Sequence, residues 1–138
     1  TVLDKKIALY KQALEKDPSN IDIYFEMKEA YVATKKYRDA ARLLELLLKT
    51  HPEIVRGHKE LGEVYLSNKD YNKATKALAE SIRFEPENIE LRYLLGKAYM
   101  GAEKFKEAAA EFNIVLARDA KYKDTLMLWQ ACLGKIKK

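Results

Sequence analysis

Apolar residues recur along this chain at helical spacing. Leu3, Ile7, Tyr10, Ala13 and Leu14 fall on one side of residues 2–16, a 3.6-residue stripe that predicts an amphipathic helix. Asp17-Pro18-Ser19-Asn20 then stops that helix and begins the next. The same pattern predicts helices near 21–34 and 37–50, 55–67 and 71–84, 89–101 and 105–118, and finally 122–136. Tyr24, Met27, Ala30 and Tyr31 should face Tyr37, Ala40, Ala41, Leu44, Leu47 and Leu48. Leu61, Gly62, Val64 and Tyr65 should face Tyr71, Ala74, Ala77, Leu78 and Ile82. The third pair uses Leu91, Leu95, Ala98, Tyr99, Phe105, Ala108, Phe112 and Val115. The last helix is expected to bury Leu126, Trp129, Cys132 and Leu133.

The pattern repeats. Shifting the chain by 34 residues superimposes Pro18, Pro52 and Pro86; Tyr31, Tyr65 and Tyr99; Tyr37, Tyr71 and Phe105; and Ala40, Ala74 and Ala108. Val32, Leu66 and Met100 keep the same step. The stretch His58-x2-Leu61-Gly62-x2-Tyr65, then Ala74-x3-Leu78, then Pro86 resembles the tetratricopeptide repeat, a helix–turn–helix unit of this length. Leu95-Gly96-x2-Tyr99 and Ala108-x3-Phe112 carry the next unit, with Ala120 in place of the proline. Tyr24-x2-Met27-Lys28-x2-Tyr31, Ala40-x3-Leu44 and Pro52 carry the one before.

The resemblance implies an all-α solenoid of about eight helices, a right-handed superhelix whose concave wall is lined by the first helix of each unit. Read in register, residues 1–138 form a single domain. Residues 1–20 are the second helix of a partial repeat, 21–54, 55–88 and 89–122 are full repeats, and 123–138 are a terminal capping helix. Lys6 stands where later units have Ala40, Ala74 and Ala108, which its missing neighbour would allow. Gly62 and Gly96 sit mid-helix at a cost of about 1 kcal/mol each, which points to close helix contact. Lys28 replaces them in the first unit, so packing there should be looser or the lysine stem should snorkel.

Composition narrows the class. An apolar fraction of 48% beside 34% charge describes a dense helical protein and not a disordered one. No stretch approaches the roughly 20 apolar residues of a membrane span, so membrane insertion is not expected. Of the net charge of +5, most lies in the tail at Lys135, Lys137 and Lys138, while the repeats interleave acids and bases. A nucleic-acid binder would concentrate its cations on one face, so no nucleic-acid partner is expected. Cys132, the only cysteine, excludes an intrachain disulfide and points to a reducing, cytoplasmic setting. Thr1 opens the chain without Met, as a fragment or a processed chain would.

Catalytic patterns are missing from the sequence. It has no Gly-rich phosphate loop, GxSxG or HExxH, and His51 and His58 fall in different elements. No enzyme activity, cofactor or metal is therefore expected. The informative residues are those the resemblance turns toward the groove. Phe25, Val32, Leu66, Tyr93, Met100 and Met127 would form an apolar strip, flanked by Glu29, Arg56, Lys59, Glu63 and Lys97. Such a strip suits a partner peptide or amphipathic helix, although Val32, Leu66 and Met100 could equally pack against a neighbouring unit. Tetratricopeptide co-chaperones hold acidic chaperone termini with Lys, Asn and Arg. The matching positions here are Phe25, Glu29, Glu60, Glu90 and Leu94, which makes that ligand a poor fit.

Two further roles are compatible with the same residues. The open half-units at the two ends could stack head to tail into a homo-oligomer. The chain could also be the regulatory or docking arm of a larger enzyme.

Overall fold

The computed structural model describes residues 1–136; Lys137 and Lys138, expected at the water-facing end of the last helix, lie outside the described residues. Eight helices occupy the described residues: α1 (Val2–Lys16), α2 (Ile21–Ala33), α3 (Tyr37–Thr50), α4 (Val55–Ser67), α5 (Tyr71–Phe84), α6 (Ile89–Gly101), α7 (Phe105–Arg118) and α8 (Thr125–Ile136). Local chemistry sets the ends. Thr1 Oγ1 accepts from the Asp4 N–H (3.1 Å) and opens α1 as a capping box. Asp17, His51 and Glu85, each just before a proline, end α1, α3 and α5. The Asn88 side chain caps α6 by accepting from the Glu90 N–H (3.0 Å), whereas Asn20 makes no such bond at the start of α2.

Period persists in the backbone of the tight turns. Lys35, Lys69 and Glu103 all take the left-handed conformation, with φ of 60°, 60° and 61°. Each follows a helix lined toward the groove and reverses the chain into its partner, a job usually given to Gly or Asn. The last helix differs from expectation. It starts at Thr125 and not at 122, because Lys123 is also left-handed (φ 46°) and cannot continue a right-handed helix. Leu126, expected in the core, is 50% exposed, because it lies off the face of α8 that buries Thr125 and Cys132.

Consecutive helices pack as antiparallel neighbours around one continuous core that runs from Ile7 to Cys132. Helices α2, α4 and α6 form an inner layer in which α4 touches α6 directly. Helices α3, α5 and α7 stand outside it and reach their neighbours through the inner helices. The glycines work as their positions suggest. A Cβ on Gly62 would lie 2.6 Å from Leu78 Cγ, and one on Gly96 would lie 2.4 Å from Phe112 Cε1. Lys28, in the same register, leaves α2 and α3 with a sparser interface than the two glycine-bearing pairs. Its ammonium snorkels to a carboxylate of the next unit: Nζ lies 2.6 Å from Glu60 Oε1, with both side chains largely shielded (13% and 14% exposed).

Candidate functional site

The inner wall is built from α2, α4, α6 and α8, and its charges are mostly committed to holding the units together. One relation recurs at each junction. A residue of one unit meets the residue 31 positions later in the next. The Arg56 guanidinium lies 4.0 Å above the Phe25 ring, Lys59 pairs with Glu90, and the Tyr93 hydroxyl donates to Asp124 Oδ1 at 2.6 Å. A cation–π contact, an ion pair and a charge-assisted hydrogen bond thus do one positional job. Arg56 also pairs with Glu60, which joins it to Lys28.

This clipping corrects part of the expected strip. Phe25 and Tyr93 are not open to the groove: they are 4% and 5% exposed. Arg56 covers Phe25. Lys97 and Lys123 lie 5.3 and 5.0 Å from the Tyr93 ring, whose edge also meets Tyr122 at 5.5 Å. Burial, then the Asp124 carboxylate, pushes the Tyr93 phenol far above its ordinary range, so it remains a donor. The sequence placed residues 25, 56, 59, 90 and 93 in one groove but took each unit alone. Pairing positions 31 apart by complementary chemistry was the available signal.

The apolar surface that remains lies further along the same helices. Leu66 and Met100 line a cavity of about 420 Å³ together with Ser67, Tyr71, Lys97, Gly101 and Leu128. Val32 borders a smaller one of about 220 Å³ with Lys28, Glu60, Glu63 and Ser67. Met127, at the start of α8, is 63% exposed. Glu29 and Glu63 reach solvent, Glu63 from the wall of the smaller cavity. Although Glu63 as a residue is exposed, its carboxyl is hemmed in. Lost hydration raises its pKa against the pull of Lys59, and Glu90 and Glu60 push the same way. Lys59 shifts upward too, chiefly through its bond to Glu90.

The repeating hairpins and this inner wall match a known pattern. A family model for the tetratricopeptide repeat matches residues 7–56 and 65–128. The chain belongs to the tetratricopeptide repeat family. Tetratricopeptide proteins share this helical-solenoid scaffold, and as one of them the chain is a protein–protein interaction module. Solved relatives of the scaffold include MamA from Desulfovibrio magneticus RS-1 (17% identity, TM-score 0.81, covering 98% of this chain and 82% of that one). MamA AMB-1 matches at 25% identity and TM-score 0.78, over 97% of this chain and 80% of that one. The second tetratricopeptide domain of human RPAP3, solved in complex with an HSP70 peptide, matches at 16% identity and TM-score 0.73, over 79% and 91%. No curated protein matches the chain.

Chemistry elsewhere is sparse. His51 Nδ1 contacts Glu53 (3.3 Å), while His58 Nε2 lies 2.8 Å from the Pro52 carbonyl, so the two rings serve separate helix ends. Among the described residues no three His, Cys, Asp or Glu side chains converge as a metal site, and no helix is long and apolar enough to cross a membrane. Cys132 is fully buried, and burial raises its thiol pKa.

Proposed function

We propose that this module binds a segment of a partner protein along its inner wall without catalysis of its own, the chain acting as one scaffold from its partial first unit to its capping helix. The observation that carries this reading is the cavity at Leu66, Met100 and Leu128, which leaves an apolar floor open where α4, α6 and α8 meet. Val32 and Met127 extend the apolar surface to either side, and Glu29, Glu63 and Lys97 supply polar contacts at its border. Phe25 and Tyr93 would serve from beneath, by holding Arg56 and Lys97 in place, with Lys59 fixed by Glu90. The RPAP3 domain, bound to an HSP70 peptide ending in Glu-Glu-Val-Asp, supports peptide binding as a use of this scaffold. That acidic sequence fits poorly here, because Glu29, Glu60 and Glu90 lie on the inner wall.

The test is selection from a displayed random-peptide library, followed by titration of the enriched peptides. Leu66→Ala with Met100→Ala should weaken them about tenfold or more, as expected from lost burial of two apolar contacts. Enriched peptides that bind this double variant as well as the parent would refute the reading.

End-to-end assembly has one observation in its favour. Leu9 on α1 is 63% exposed, while Leu43, its counterpart one unit later, is buried. Against it, Lys6 occupies the register of Ala40, Ala74 and Ala108, all fully buried, so stacking in continuous register would bury an ammonium. A mass that grows with concentration in light scattering would favour assembly over the binding role.

A further inference from the structure

On the face away from the inner wall, the groove between α3 and α5 is open. Two adjoining cavities of about 310 and 580 Å³ run along it and share Glu45, Tyr65 and Lys73. One register position explains the opening. In α3 that position is Leu43, a long apolar side chain; in α7 it is Glu111, which bonds Arg92 of α6 at 3.2 Å. In α5 it is Ala77, too short to bridge the gap, so the apolar floor of Leu48, Leu61 and Ala77 is left reachable. Where α6 supplies Arg92 to fill its junction, α4 has His58, which turns to the Pro52 carbonyl and stacks on Phe84.

The rim of this groove is basic. Arg38, Arg42 and Lys49 on α3 face Lys73 and Lys76 on α5, and none of the five forms an ion pair among the described residues. Three acids stand among them, each with a partner of its own, and the five cations outnumber them. Glu45 accepts the Tyr65 hydroxyl (2.5 Å), Glu80 pairs with Arg83 (3.1 Å), and Asp70 accepts from Asn68 (2.8 Å). The next junction reverses the pattern, with Glu107 and Ala110 in the places of Lys73 and Lys76. Cations and a cavity floored by largely buried apolar side chains therefore coincide at this junction.

We propose that the α3–α5 groove is a second docking site, for an acidic partner segment that carries an apolar side chain. The apolar group seats over Ala77, and the flanking carboxylates meet the rim cations. A polyanion lacking an apolar anchor, such as a nucleic acid, would use the cations and leave the floor uncovered. This site is distinct from the inner wall: Leu61 and Tyr65 of α4 help to line it, but none of its lining residues lines the cavity at Leu66 and Met100.

The probe is a fluorescein-labelled peptide of Glu and Leu residues, with a Lys-for-Glu version as control, titrated by anisotropy. The Glu peptide should bind and the Lys peptide should not. Lys73→Glu with Lys76→Glu should weaken binding about tenfold or more, roughly the effect of losing two charge contacts. Ala77→Leu, which installs the residue found at position 43, should weaken it comparably with no change in charge. Leu66→Ala with Met100→Ala should leave it unchanged, which separates this site from the inner wall. The proposal is overturned if Ala77→Leu binds like the parent, if both peptides bind equally, or if a single-stranded oligonucleotide binds with the same indifference to Ala77→Leu. Thermal melts check that each variant is folded; should Ala77→Leu unfold, the lysine pair still decides the outcome.

Discussion

Gly96→Ala tests whether inter-helix distance is set by missing side chains. In the middle of an exposed helix this change stabilises by about 1 kcal/mol, because alanine loses less backbone freedom on folding. Here the new Cβ would fall 2.4, 2.7 and 2.9 Å from three atoms of the Phe112 ring. Those separations are too short for carbon, and Phe112 is fully buried, so it has no free space to swing into. Overpacking of this kind costs about 1–3 kcal/mol. Clash and propensity oppose each other, which leaves a net cost of up to about 2 kcal/mol. For a chain of this size that lowers the melting midpoint by up to roughly 8 °C. Gly134→Ala is the control, since nothing lies within 4 Å of its added Cβ, and it should raise the midpoint. Circular dichroism melts of both variants make the comparison. A Gly96→Ala protein that gains stability alongside Gly134→Ala would show that close approach is not what the glycine supplies.

Two further outcomes follow from the inner wall. Tyr93→Phe removes the hydroxyl that donates to Asp124 and should cost about 1.5 kcal/mol, the lower end of the range for bonds to a charged group because Asp124 is exposed; amide exchange should quicken in α8 and not in α2, and equal protection in both would contradict the junction role. Glu63→Gln concerns a carboxyl whose folded pKa is raised, so the parent's stability falls as pH climbs through and above the ordinary glutamate range. The variant should therefore be the more stable at about pH 7 and match the parent at about pH 3; urea unfolding that shows no pH-dependent difference would remove the assigned crowding.

Nearly all of the scaffold was legible because its information is local and repeated. Each helix carries its own apolar stripe, and prolines one period apart mark the same boundary three times. The start of α8 was not legible, since Lys123 breaks the helix through a backbone conformation that its side chain does not announce. The candidate groove residues fall on α2, α4, α6 and α8, yet exposure was misjudged at Phe25 and Tyr93. Whether an aromatic ring faces solvent depends on what the following unit lays over it, and Arg56 and Lys123 come from outside the helix that carries the ring. The outer groove left a fainter trace, the succession Leu43, Ala77, Glu111 at one register position, which acquires meaning once α3 and α5 are known to leave a gap there.

That succession suggests where function resides in a solenoid. Each unit meets nearly the same surroundings, so packing alone favours the same residue at each equivalent position. Ala40, Ala74 and Ala108 obey this, all fully buried against their neighbours. The inner clips depart from it in chemistry but not in effect, because Phe25–Arg56, Lys59–Glu90 and Tyr93–Asp124 all close a junction. Ala77 departs in size: where Leu43 and the Glu111–Arg92 pair place long side chains, it leaves a groove above a largely buried floor. Burying that floor with Leu43-like packing would be the more stabilising choice by about the transfer energy of a partly buried leucine side chain, on the order of 1 kcal/mol. Ala77→Leu should thus raise the melting midpoint while it closes the outer groove. A gain in stability with a loss of binding is the signature of a surface held open for a partner, and the same substitution measures both.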